Sequence, residues 1–180
     1  VLDGTGNPWF SADIGVEDGK IVKIGKIEEK GSVEIDANGL FVSPGFVDIH
    51  THADLTILAV RDAESYITQG ITTAIAGNCG LSMAPVNPEK LSLLKTYVSP
   101  FLVRNFDYGW DWSSLGEFYE KVEKDGIAIN LLPLVGHGTI RIAVKGFDPS
   151  SPSEDELFKM KEILRKCLDE GAFGMSTGLI

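Results

Sequence analysis

The sequence predicts an α/β protein in which four strand-like segments alternate with helices after residue 44, preceded by a small, separate β-rich region over residues 1–43. Three observations carry this. Two-residue turn signals with short apolar runs fill the first part. Ser43-Pro44-Gly45 then punctuates the chain. Beyond it, β-branched runs and runs of helical period take turns, as parallel α/β arrangements require.

In the first region, 12–17 and 20–27 flank Asp18-Gly19, which predicts a type I′ hairpin. The runs 33–36 and 40–42 flank Asn38-Gly39 and predict a second one. After the boundary, Phe46-Val47-Asp48-Ile49-His50 reads as an apolar strand ending in polar residues. A helix is expected over 61–69, stopped by Gly70, and Ile71-Thr72-Thr73-Ala74-Ile75-Ala76 reads as the next strand. Residues 80–112 make an excursion too long for a minimal connection, with a short helix at 88–97 and an aromatic stretch from Phe101 to Trp112. Ser114 and Glu117 form a capping-box pattern for a helix ending near Gly126. A strand over 127–132 runs towards Gly136-His137-Gly138. The last helix is expected to start from Ser151 as cap with Pro152 at its first position, and its apolar face holds Leu157, Met160, Leu164, Cys167 and Leu168. Gly171 stops it, and 172–176 is the fourth strand.

A complete (β/α)₈ barrel takes roughly 250 residues, so 44–180 corresponds to about half of one. A small doubly wound domain fits the same pattern, and periodicity does not choose between them.

Composition narrows the partners. With 16 Lys+Arg against 26 Asp+Glu the net charge is −10, which argues against nucleic acid, whose partners present basic surfaces. No run of about 18 apolar residues suggests a membrane helix. Val1-Leu2-Asp3-Gly4-Thr5-Gly6 has neither the basic nor the apolar segment of a signal peptide. Two cysteines do not make a disulfide framework, so a cytoplasmic location is expected.

The chemistry gathers at strand ends. His50 and His52 share one face of an extended strand, about 6–7 Å apart, and from there two imidazoles can converge on one ion. Asp48 and Asp54 have the same parity and are candidates to orient those imidazoles as hydrogen-bond acceptors. The bland alternative is a pair of solvent-facing histidines. Cys79, in Gly77-Asn78-Cys79-Gly80, follows the second strand, and His137 stands at the same level after the third. Thiolate plus imidazoles suits zinc better than magnesium or calcium. Taken alone, Cys79 would more often be a small buried hydrophobe, and Cys167, on the apolar face of its helix, reads as core.

The segment Ser43-Pro44-Gly45-Phe46-Val47-Asp48-Ile49-His50-Thr51-His52-Ala53-Asp54 resembles the Pro-Gly-Phe-x-Asp-x-His-x-His segment of the amidohydrolase superfamily. Gly70-Ile71-Thr72-Thr73, Gly77-Asn78-Cys79-Gly80, the run from Leu134 to Arg141 and the run from Gly171 to Leu179 are similar to segments of its N-acyl-D-amino-acid deacylase (D-aminoacylase) branch. The resemblance implies the first four β/α units of a (β/α)₈ TIM-type barrel over 44–180, preceded by an incomplete small β-sandwich over 1–43. It implies His50, His52 and Cys79 at a zinc centre of one or two ions, with further ligands and a proton-shuttling aspartate beyond Ile180. His137, Arg141 and Ser176 are the candidate substrate contacts, each with a structural alternative.

The implied reaction is zinc-dependent hydrolysis of the amide bond of an N-acyl-D-amino acid, and this chain alone is expected to be inactive. A dihydroorotase- or hydantoinase-like cyclic amidohydrolase is the nearest alternative. A non-catalytic binding protein derived from the barrel is a further one.

Overall fold

The computed structural model describes residues 1–178. Leu179 and Ile180, the end of the expected barrel segment, lie outside the described residues. The chain separates into two compact units, Val1–Gly45 and the part from Phe46 onward.

In the first unit, β1 (Asp13–Glu17) pairs antiparallel with β2 (Lys20–Gly25). Asp18 and Gly19 both have positive φ, 49° and 72°, as the type I′ turn requires. The second expected hairpin does not form. Residues 26–45 contain no strand, although Leu40 N–H reaches Ala37 O across the Asn38-Gly39 turn. Val42 O instead accepts the N–H of Leu2, 2.8 Å away. Val33 and Ile35 stay 79% and 86% exposed, so these runs bury too little apolar surface to hold a ladder.

The second unit is built on a four-stranded parallel sheet in the order β3 (Phe46–Asp48), β4 (Ile71–Ala76), β5 (Asn130–Gly136), β6 (Gly174–Ser176). This is the expected α/β arrangement with sequential parallel strands. Helices α1 (Glu64–Ile67), α2 (Leu91–Val98), α3 (Leu115–Lys124), α4 (His137–Lys145) and α5 (Glu154–Asp169) connect them. Leu55, Leu81, Met83, Val98, Phe118, Val122, Val135 and Ile140 make the fully buried centre. Burying each side chain of this size contributes about 1.5–3 kcal/mol.

Several boundaries differ from expectation. The first connecting helix shrinks to one turn, because a 3₁₀ turn at Ala53–Leu55 and further turns take up the preceding chain. The third strand runs through Pro133, where the expected one stopped. Pro133 has no N–H to lose, and its carbonyl accepts from Phe173 N–H at 2.8 Å. Helix α4 was not anticipated, since Gly136 and Gly138 argue against helix. Burial of Thr139, Ile140, Ile142 and Ala143 overrides that propensity. Helix α5 is capped by Ser153 with Glu156, two residues after the expected cap. At this helix, Ser153 and Glu156 close both halves of the capping box. The Ser114–Glu117 box forms as read.

The excursion between β4 and α3 carries α2 and an aromatic ladder. Trp110 stacks on Trp112 with centroids 5.1 Å apart, and the Trp112 indole donates to Met83 O. The Tyr108 hydroxyl donates to Leu55 O at 2.8 Å and accepts from Val103 N–H at 2.9 Å, riveting the excursion to the turn that follows His52. No helix among the described residues is long and apolar enough to cross a membrane.

Candidate metal centre

Two chain segments meet at the carboxyl ends of β3 and β4. Past β3 the backbone stays tied to the neighbouring strand, with Thr51 N–H donating to Ile75 O at 3.0 Å. This places His50 and His52 beside each other, rings 6.1 Å apart and nearly perpendicular. Past β4, Gly77-Asn78-Cys79-Gly80 folds back towards them. His50 Nε2 lies 3.1 Å from Cys79 Sγ. One ligand atom from each of His50, His52 and Cys79 falls within 4.8 Å of the others.

The loop carrying Cys79 is set by close backbone packing. Cys79 itself has φ +55°, in the left-handed region that disfavours a side chain. A Cβ on Gly77 would stand 2.0 Å from Leu134 O, and one on Gly136 would stand 2.4 Å from Gly80 O. Only glycine permits either approach. The Asn78 amide donates to Thr51 O and Ile75 O, joining the loop to the histidine segment. Asp54 Oδ1 accepts Gly77 N–H at 3.1 Å. Ser176 Oγ donates to Gly77 O and accepts Gly80 N–H.

Electrostatics favour the ligand form of His52. Burial, and then the neighbouring His50, hold its imidazole below the ordinary value, keeping it neutral and able to bind a metal. Its Nδ1 is buried with no hydrogen-bond partner among the described residues, as is Asp54 Oδ2. Burial pushes the Asp54 carboxyl up to about 7, against the lowering effect of the Gly77 and Met83 N–H groups. Two imidazoles, one left without a proton partner on a buried nitrogen, and a thiol close beside them are a donor set that fits zinc.

The structure brings His50, His52 and Cys79 together. Asp48 and Asp54 hold backbone rather than imidazole: Asp48 Oδ1 accepts His50 N–H, and Asp54 accepts from Gly77. His137 is the first residue of α4, half-buried, its neighbours Gly136 and Gly138 both packed against Gly80 O. Arg141 Nη2 donates to the carbonyls of Asp148 and Ser150, tying down the loop after α4. Ser176 braces the Cys79 loop. Phe101 opens the aromatic stretch that the sequence marks in the long excursion, and its ring lies 5.0 Å from that of His52. It sits in an excursion of no clear period, which the Tyr108 bonds to Val103 and Leu55 and the buried face of α2 hold beside the histidine segment.

A parallel α/β sheet with an imidazole–thiol cluster at its strand ends defines a candidate metalloenzyme. The sequence model of the amidohydrolase family matches residues 33–179, and the chain belongs to that family. It is 36% identical over 179 residues to N-acyl-D-aspartate deacylase of Alcaligenes xylosoxydans xylosoxydans, covering 99% of this chain and 35% of that protein. Among solved structures it is similar to a D-aminoacylase with a binuclear metal centre, described by one-metal activation and second-metal attenuation. That match has TM-score 0.83 and 34% identity over 98% of this chain and 36% of the other. It is also similar to N-acyl-D-glutamate deacylase of Bordetella bronchiseptica, solved with zinc and a phosphonate mimic of the tetrahedral intermediate. Here the TM-score is 0.79 and identity 35%, over 98% of this chain and 36% of that one. The chain thus spans about a third of the length of the relatives it matches.

Proposed function

We propose that the whole protein is a zinc-dependent hydrolase that cleaves the amide bond of N-acyl-D-amino acids. The single observation that carries this is the meeting of His50, His52 and Cys79 at the ends of adjacent parallel strands. The deacylases it resembles support the substrate class. In the same reading, the parallel sheet is the first half of a (β/α)₈ barrel, whose active sites form at the carboxyl ends of strands. The β-rich unit before it is part of a small β-sandwich.

His50, His52 and Cys79 would hold one or two zinc ions, Cys79 as thiolate. When bound, zinc supplies Lewis acidity, lowering the pKa of water from about 15.7 towards about 7 and polarising the acyl carbonyl. The protein residues keep the ligands in place: Asn78 and Asp54 lock the thiol loop to the histidine segment. The Phe101 ring lies tilted against the His52 ring, centroids 5.0 Å apart. His137 is the candidate for contact with a polar substrate group. Arg141 and Ser176, with backbone partners of their own, act in this reading on the loops that frame the site. The chain alone, holding these three donors, is proposed to be inactive. A cytoplasmic location is consistent with both cysteines being unpaired.

The test is an assay of the full-length protein on paired N-acyl-D- and N-acyl-L-amino acids, with and without zinc. Turnover of the D-substrate that chelator abolishes and zinc restores is the expected result. A zinc-loaded protein that leaves every D-substrate intact sinks the proposal.

A further inference from the structure

Asn78-Cys79-Gly80-Leu81 is a β-turn closed in the ordinary way, its first carbonyl accepting from its fourth N–H at 2.9 Å. The Ser176 hydroxyl clamps the flank of this turn, donating to Gly77 O and accepting Gly80 N–H at 2.9 Å. Ser176 is separated from Gly77 by 99 positions and comes from β6, where it pairs with Gly136 of β5. Both central residues of the turn have positive φ, as in a type I′ turn, and the first of these places usually goes to Gly, Asn or Asp. Cys79 occupies it at +55°. A side chain stays in that conformation only where the surroundings over-determine it.

The surroundings do so from α2, α4 and the segment after β6. Gly80 O accepts from Thr139 N–H at 3.3 Å and from the Tyr97 hydroxyl at 3.4 Å. A Cβ on Gly178 would stand 2.5 Å from Cys79 O. From β6, the Ser176 side chain bonds the backbone on both sides of Cys79, at Gly77 O and at Gly80 N–H.

We propose that Ser176 is a positioning residue for Cys79: its hydroxyl ties Gly77 to Gly80, on either side of Cys79, and fixes the turn in the place that directs Sγ at His50. This rests on the reading of Cys79 as a metal ligand. Without the hydroxyl, Gly77 O and Gly80 N–H lose their shared partner. The turn is then free to shift as a unit against β6, and Cys79 leaves its place beside His50.

The test compares full-length wild type, Ser176→Ala, Ser176→Thr and Ser82→Ala. Ser82 is a control of the same kind in the next turn, its hydroxyl bridging Ala84 O and Gly136 N–H. Zinc affinity is measured by competition with a chromophoric chelator. Cobalt substitution reads the thiolate-to-metal charge-transfer band, and metal-free unfolding midpoints are recorded alongside. Loss of an orienting partner lowers metal affinity by about 10- to 100-fold. Ser176→Ala is expected to show that loss and a weakened cobalt–thiolate band. Ser176→Thr keeps the hydroxyl and is expected to restore both, while Ser82→Ala lowers the unfolding midpoint and leaves both in place. Wild-type affinity in Ser176→Ala, or an equal loss in Ser82→Ala, overturns the assignment. A wild type that binds no zinc instead overturns the metal reading on which it stands.

Discussion

His50 Nε2 and Cys79 Sγ lie 3.1 Å apart across 29 positions of sequence. Neither residue is drawn there by local structure alone. His50 follows a three-residue strand, and Cys79 sits in a conformation that a side chain disfavours. Their contact is made by the lateral pairing of β3 with β4, and by the loop that glycines and side-chain clamps press into shape.

Substitution of Cys79 by Ser, or of His50 by Ala, removes a donor from this cluster. Each is expected to lower zinc affinity by more than the roughly 10- to 100-fold typical of a lost orienting partner. Competitive titration of the full-length protein measures it. Zinc stoichiometry and affinity equal to wild type in both variants would show that the metal binds elsewhere.

The two thiols differ in reactivity. Cys167 is 2% exposed, and burial pushes its thiol up to about 11. Cys79 is only half-buried. Since thiolate is the nucleophile, iodoacetamide at about pH 8 should modify Cys79 first in metal-free protein. Zinc should protect it. Peptide mapping by mass spectrometry gives the order.

Two glycines separate space from strain. Gly136 has an ordinary φ of −75°, but its Cβ would stand 2.4 Å from Gly80 O. Gly136→Ala should therefore destabilise by about 1–3 kcal/mol through overpacking, and weaken zinc binding as the Cys79 loop is displaced. Gly126 has φ +74° with nothing within 4 Å. Gly126→Ala should cost about 1–2 kcal/mol from backbone strain and leave zinc binding unchanged. Urea unfolding and zinc titration of both variants decide it.

The start of α5 gives a stability test. Ser153→Ala removes the cap that accepts Glu156 N–H and should destabilise by about 1 kcal/mol. Ser151→Ala should fall within about 0.5 kcal/mol of wild type. Thermal or urea unfolding that reverses this order would place the cap at Ser151.

Acid stability should respond to Asp148. Hydrogen bonds from the backbone and hydroxyl of Ser150, together with Lys145, hold its carboxyl down at about 2, from 3.8. A depressed value means that the unfolded chain takes up the proton first as pH falls. The stabilisation is therefore complete above the unfolded value, shrinks below about 3.8, and is gone once pH passes below about 2. Asp148→Asn should unfold more easily than wild type at pH 5, and the gap should close on approaching pH 2. A gap that stays constant across this range would disprove the linkage.

The sequence by itself determined the alternation of strands and helices, the Asp18-Gly19 hairpin and the Ser114 capping box. Each rests on short-range physics: side-chain period, turn residues that tolerate positive φ, and a cap with its partner three residues on. The tertiary structure decided where Pro133 sits in its sheet, that Gly136-His137-Gly138 opens a helix, and that Ser153 caps α5. It also gave Arg141 and Ser176 backbone partners and brought Phe101 to His52. Those outcomes depend on close approaches between segments far apart in the chain, where burial and a single shared hydrogen bond outweigh local preference. No periodicity announces such an approach; only the folded backbone makes it.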